Sequence, residues 1–240
     1  MGTAKKIWIL SGEASGDVYG AKLARELRLI AAERGETIEI AGMGGPEMRR
    51  ADIDIRVDST ELGVVGVIEV LKHIFTFIGI FFRLVRQAKR ERPGAVVLID
   101  YPGFNLLFAL MMYRNRIPVI WYVCPHLWVW GKWRLPVLAK ICTKMLVIFP
   151  FETEVFAHTK LRTEFVGHPL IDIVADRRIP GVERSPEDFL LLPGSRTMEI
   201  NFLLFPMLDT VTVLAKRHPE LKFHLSAPRE KIARICRGKL

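Results

Sequence analysis

A carboxylate closes one short apolar run: Ala95-Val96-Val97-Leu98-Ile99 leads straight into Asp100, and Tyr101-Pro102-Gly103 turns the chain. Such a run reads as a strand buried on both faces of a parallel sheet. Ligands of open α/β sheets bind beyond the carboxyl ends of the strands. Asp100 is therefore a candidate acid–base group, while a role limited to fixing the turn stays open on the residue alone. A second candidate is Ser11-Gly12-Glu13-Ala14-Ser15-Gly16-Asp17, a small-residue loop between a strand and a helix. Free backbone N–H groups and the helix dipole can cradle an anion or sugar hydroxyls there. Tight strand–helix packing accounts for its glycines equally well. The loop has neither the Gly-Lys-Ser/Thr of a P-loop nor the spacing of a dinucleotide fingerprint. Third, Trp128, Trp130 and Trp133 fall within six positions after an apolar run. Left in water they are costly, so they close over a sugar ring or acyl chain, or plug the open end of the domain. His126 could ligate or move a proton, though a lone loop histidine is more often structural.

These groups need strands and helices to hold them. Strands are expected at 5–10, 36–41, 95–99, 118–123, 144–148 and 163–166. Helices are expected at about 17–34, after Gly45-Pro46, at 104–114 and from Phe149-Pro150-Phe151-Glu152 onward. Alternation of this kind specifies an α/β fold with a parallel sheet. Residues 176–188 are polar, with Pro180, Gly181 and Pro186, and read as a linker. A new pattern then starts: strand 189–192, the loop Pro193-Gly194-Ser195-Arg196, helix 199–217, strand 221–225 and a helix from 229. Two strands do not make a stable sheet alone. The expected organisation is thus one complete Rossmann-like domain over 1–175, a linker over 176–188 and the beginning of a second domain over 189–240.

The segment 61–92 carries two apolar stripes at helical spacing. One runs through Val67, Val70, Leu71, Ile74, Ile78, Phe81, Phe82 and Val85, the other through Phe77, Ile80 and Leu84. One apolar face is enough to pack on a sheet, so the second is expected to meet a membrane, an acyl chain or a partner subunit; deep burial is the competing account. Ile74, Phe77, Ile78, Phe81 and Phe82 are the expected contacts. Charges interrupt the run well short of the ~20 residues a bilayer span requires, and Lys72, Arg83, Arg86, Lys89, Arg90 and Arg92 flank it, as in an interfacial helix. A formal net charge of +9 over 240 residues points to an anionic partner. No motif of the usual nucleic-acid modules is present, so no nucleic acid and instead an anionic membrane surface is expected. Cys124, Cys142 and Cys236 suit a reducing compartment. The first ten residues do not read as a signal peptide, and a cytoplasmic protein is expected.

Taken in order, the motifs resemble the lipid-A-disaccharide synthases, inverting glycosyltransferases of the two-domain GT-B type. The matching blocks are Ser11 through Asp17, Gly45-Pro46-Glu47-Met48, Glu61-Leu62-Gly63-Val64-Val65-Gly66 with Glu69-Val70-Leu71, and Ile99-Asp100-Tyr101-Pro102-Gly103-Phe104-Asn105. They continue with Trp128-Val129-Trp130, Phe149-Pro150-Phe151-Glu152, Phe165-Val166-Gly167-His168-Pro169 and Leu191-Leu192-Pro193-Gly194-Ser195-Arg196. The resemblance implies transfer of 2,3-diacylglucosamine from UDP to the 6-hydroxyl of 2,3-diacylglucosamine 1-phosphate, at the inner face of the bacterial inner membrane. It implies Asp100 as general base or polariser of the acceptor hydroxyl. Acceptor contacts would come from Glu13, Ser15, Gly16, Asn105, Trp128 and Trp130, and UDP phosphate contacts from Ser195 and Arg196. No metal and no other cofactor is implied. Family members are considerably longer, so a fragment, or pairing with a separately encoded C-terminal half, is expected, with little transferase activity in the isolated chain; a homodimer is also open. The other functions left open are a non-catalytic acyl-sugar-binding module and a different GT-B transferase acting on a lipid-linked sugar.

Overall fold

A computed structural model describes residues 5–59, 67–125, 127, 131–181, 185–195, 197–227 and 230–239, with the side chains of 67–74, 76, 132 and 231 outside that description. The chain divides into two units, Met1–Asp176 and Arg177–Leu240.

In the first unit seven strands form one parallel sheet: β1 (Lys5–Ser11), β2 (Ile38–Gly44), β3 (Asp54–Asp58), β4 (Ala95–Ile99), β5 (Val119–Tyr122), β6 (Lys144–Val147) and β7 (Arg162–Phe165). Their order across the sheet is β3-β2-β1-β4-β5-β6-β7. The helices are α1 (Ala14–Glu33), α2 (Pro46–Arg50), α3 (Val67–Glu91), α4 (Pro102–Arg114), α5 (Leu135–Ile141), α6 (Glu152–Val155) and α7 (Pro169–Asp176). The central strands β1, β4 and β5 read as nearly unbroken apolar runs because both faces are covered. Trp8, Leu10, Val96 and Leu98 point into one core with α3, α4 and α5. Ile9, Val97 and Ile99, the alternate positions of the pleat, join α1, α2 and α7 in the other.

Three elements are absent from the sequence expectation. In β3, Asp54-Ile55-Arg56-Val57-Asp58 alternates charge with apolar residues because it is an edge strand, paired on one side only. α5 and α7 are short, with a proline in or at the start of the first turn, where it is tolerated.

α3 corrects the expected assignment of its faces. Leu84 and Val85 are buried, and Phe77, Ile80 and Phe81 pack on the same core. Phe81 meets Phe104 and Phe108 of α4 edge-on, at 5.4 and 6.3 Å between ring centroids. The stripe expected to need an outside partner therefore faces the sheet, drawn in by the aromatic pair on α4. Phe77 and Phe81 leave the expected membrane set. Phe75 (84% exposed), Ile78 (45%) and Phe82 (61%) stay outward.

The second unit pairs β8 (Asp188–Leu191) with β9 (Lys222–Leu225) in parallel, with α8 (Thr197–Arg217) and α9 (Glu230–Arg237). Ile200 and Leu204 of α8 close on Ile232 and Cys236 of α9. By length and composition α8 could cross a membrane, but it contains Pro206 and packs as a helix of an αβ unit.

Candidate functional site

The sheet order reverses direction between β1 and β4, which lie side by side with Ser11 opposite Ile99. α1 leaves β1 for one face and α4 leaves β4 for the other. A crevice opens where neighbouring connections diverge in this way. Asp100 is the first residue past β4 at that point and is half-buried.

The backbone there is strained. Asp100 and Tyr101 both have left-handed φ, 45° and 48°, and Val123, just past the adjacent β5, has φ 65°. Aspartate enters this region readily, whereas tyrosine and above all a β-branched valine do so at a cost of about 1–2 kcal/mol. Asn105 holds the turn: its Nδ2 donates to the carbonyls of Ile99 at 3.2 Å and Asp100 at 2.7 Å. The Asp100 N–H donates to the Tyr122 carbonyl at 3.1 Å. Asn105 is fully buried, so its expected role as an acceptor contact gives way to one beneath the turn, acting on the backbone of Asp100.

The loop after β1 meets this turn. The space over Gly12 is filled by the Tyr101 ring, whose atoms would lie 2.2 Å from any Cβ added there. Gly16 is buried against Ser11 Oγ, 2.4 Å from such a Cβ. Close packing against Ser11 thus accounts for a glycine at this place. Ser11 Oγ donates to the Glu13 carbonyl at 3.1 Å. Glu13 and Ser15, the other two loop candidates, are exposed at the start of α1.

The sequence pattern assigns Asp17 no separate role within its loop. Its buried carboxylate accepts backbone N–H bonds from Gly45 (2.7 Å), Glu47 (2.9 Å) and Met48 (3.1 Å), tying α1 to the start of α2. The signal was available: Asp17, Gly20, Ala21 and Ala24 share the i, i+3, i+4, i+7 face that α1 buries. An acid on that face must have donors.

The site's phenols are held neutral. Burial, then the Glu13 charge, pushes Tyr101 up; burial, then the Asp100 charge, pushes Tyr19 up. Burial chiefly, with Tyr19 and Asp172 adding, pushes Tyr122 up to about 12. The Cys124 thiol is also raised, first by burial and then by Glu152, Cys142 and Asp100.

His126, Trp128, Trp130 and Arg196 lie outside the described residues, as does the Ile74 side chain. Trp133 is 71% exposed. In the second unit Ser195 is exposed and its N–H donates to Glu199 at 2.8 Å. Among the described residues no group of three or more His, Cys, Asp or Glu could hold a metal ion.

A family model for lipid-A-disaccharide synthetase matches residues 7–239. The chain is 38% identical to the lipid-A-disaccharide synthase of Koribacter versatilis over 87% of its own length and 56% of that protein's. Against the Geobacter sulfurreducens synthase the figures are 37%, 93% and 59%. The chain thus spans less than two thirds of these relatives. Among solved structures, a Staphylococcus aureus MnaA–UDP complex aligns with a TM-score of 0.66 at 12% identity, covering 98% of this chain and 66% of that one. The UDP-GlcNAc 2-epimerase of Neisseria meningitidis, bound to UDP-GlcNAc, aligns at 0.60 and 12%, covering 99% and 69%. These likenesses show the fold, of GT-B type.

Proposed function

The chain belongs to the lipid-A-disaccharide synthetase family, and on that premise we propose that it serves transfer of 2,3-diacylglucosamine from UDP to the 6-hydroxyl of 2,3-diacylglucosamine 1-phosphate. The supporting observation is Asp100, a half-buried carboxylate at the sheet's switch point, in a left-handed turn pinned by Asn105. A sugar hydroxyl is a poor nucleophile until a neighbouring base takes its proton as the bond forms. Asp100 is that base. Exposed Glu13 and Ser15 orient the acceptor, and the Ser195 hydroxyl with Arg196 meets the diphosphate, where an arginine neutralises charge on the leaving group. Trp128 and Trp130 cover the sugar or its acyl chains.

The acylated substrates reside in the membrane. Phe75, Ile78 and Phe82 enter it, and the exposed Arg83, Arg86, Lys89, Arg90 and Arg92 of the same segment rest on anionic headgroups. The working position is the inner leaflet of the inner membrane.

Acceptor binding is measured first, on the 240-residue chain in mixed micelles. UDP release is then measured with the chain joined to the remaining portion of the Geobacter sulfurreducens synthase. Binding of the diacylglucosamine phosphate and UDP release that Asp100→Asn reduces at least ~10³-fold are expected. Undiminished release by the Asn variant removes Asp100 from the chemistry. Acceptor binding without any release by the fusion favours a non-catalytic acyl-sugar-binding role.

A further inference from the structure

Gly12 and Tyr101 each stand where the other residue type would be more at ease. Gly12 has no left-handed φ, so its backbone does not call for glycine. Tyr101 has φ 48° and ψ 59°, a conformation that glycine takes freely and tyrosine only at a cost of about 1–2 kcal/mol. What calls for glycine at position 12 is the tyrosine ring. A Cβ built on Gly12 would overlap Tyr101 Cδ1, Cγ and Cε1 almost equally, so the face of the ring lies on the buried Gly12 backbone. Behind it the ring meets Phe104, with centroids 6.0 Å apart and planes at 32°, and Phe104 stacks on the fully buried Phe108 at 6.2 Å. The loop beyond Gly12 is gathered by the Glu13 carbonyl, which accepts from Ser11 Oγ at 3.1 Å and the Asp17 N–H at 2.9 Å. Backbone strain of the Tyr101 kind persists where surrounding contacts over-determine it, and it gathers at functional sites.

We propose that Tyr101 is a positioning residue that clasps the loop after β1 to the turn after β4, its ring over Gly12 setting the exposed Glu13 and Ser15 in register with Asp100. The inference rests on the reading of Asp100 as the base and of Glu13 and Ser15 as acceptor contacts, and adds what holds these two halves of the site together. β1 and β4 are paired as far as Ser11 and Ile99. Past that point their connections diverge, and the ring on the glycine takes over from the sheet. Each half keeps its own shape without the ring, the turn through Asn105 and the loop through Ser11. Loss of the ring therefore loosens their mutual placement rather than the fold, and a shift of about 1 Å between reacting groups costs ~10²-fold in rate. The Tyr101 hydroxyl has no part in the clasp, so phenylalanine serves there as well.

The first arm of the test needs no substrate. In NMR spectra of the 240-residue chain the Gly12 α-protons, set against the ring face, are expected well upfield in wild type and in Tyr101→Phe, and at ordinary glycine positions in Tyr101→Leu. Gly12→Ala, a change on the opposite loop, is expected to shift the Asp100 amide. Ordinary Gly12 shifts in wild type, or an Asp100 amide indifferent to Gly12→Ala, overturn the proposal. The second arm uses the chain joined to the remaining portion of the Geobacter sulfurreducens synthase. There Tyr101→Leu is expected to bind diacylglucosamine phosphate within about twofold of wild type and to release UDP at least ~10-fold more slowly, while Tyr101→Phe matches wild type in both. Undiminished release by Tyr101→Leu overturns the proposal, and so does a parallel loss of binding and release, which is what a purely structural ring would give. Should the Leu variant fold poorly, Gly12→Ala, which keeps the ring but displaces it, provides the same comparison. Absence of acceptor binding by wild type counts against the functional reading, and the substrate-free arm then decides the clasp by itself.

Discussion

At the scale of single residues, the turn after β4 explains why an aspartate can stand at position 100. Asparagine and aspartate tolerate left-handed φ, and β-branched side chains do not. Asp100→Asn should therefore unfold in urea within ~0.5 kcal/mol of wild type. Asp100→Val, which forces a branched Cβ into φ 45°, should lose about 1–2 kcal/mol. Equal stability of the two variants would mean that the turn relaxes freely and holds nothing in place. Asp100 itself was legible in the sequence, because a charge that ends an apolar run is a local pattern. The inward turn of Asn105 was not, since it depends on which carbonyls β4 leaves unpaired at its end. The packing role of Gly16 was one of two accounts the sequence left open, and the nearby Ser11 Oγ supports it.

At the scale of elements, α1 and α2 are joined through one buried carboxylate. Asp17→Ala strands the N–H groups of Gly45, Glu47 and Met48. The expected cost is about 3–5 kcal/mol in denaturant unfolding, given about 1–3 for each buried donor left unmet and partial entry of water. A loss below ~1 kcal/mol would show that the α2 turn re-forms without its anchor. α3 offers a contrast within adjacent residues. Phe81→Ala removes a ring packed edge-on against Phe104 and Phe108 and should cost about 2–4 kcal/mol. Phe82→Ser, outward at 61% exposure, should leave stability within ~0.5 kcal/mol yet weaken sedimentation with phosphatidylglycerol vesicles several-fold. If both changes affect stability alone, the outer face of α3 is not a membrane surface. Helical period revealed two apolar stripes here but not which one the sheet takes, because the choice is made by aromatic side chains on α4, more than twenty positions away.

At the scale of the whole chain, the two units differ in what they bury. The first encloses a seven-stranded sheet between two helical layers, with Trp8, Trp121 and Phe108 wholly inside. The α/β class was readable from alternation alone, though β3 with its charges was not. The second rests on Ile200, Leu204, Ile232 and Cys236 and one strand pair, while Phe202, Leu203, Phe205 and Leu190 remain open. A two-stranded sheet with one small cluster is marginal in water, and amide exchange reports local opening element by element. In the 240-residue chain, amides of β1, β4 and β5 should exchange only through cooperative unfolding of their unit. Those of β8 and β9 should exchange at least ~100-fold faster, matching an opening free energy lower by roughly 3 kcal/mol or more. Joining the chain to the remaining portion of a relative's second domain should slow β8 and β9 and leave β1 and β4 unchanged. Equal protection of both sheets in the unjoined chain would show that the open apolar residues of α8 are already covered, which would make the second unit a settled domain as it stands.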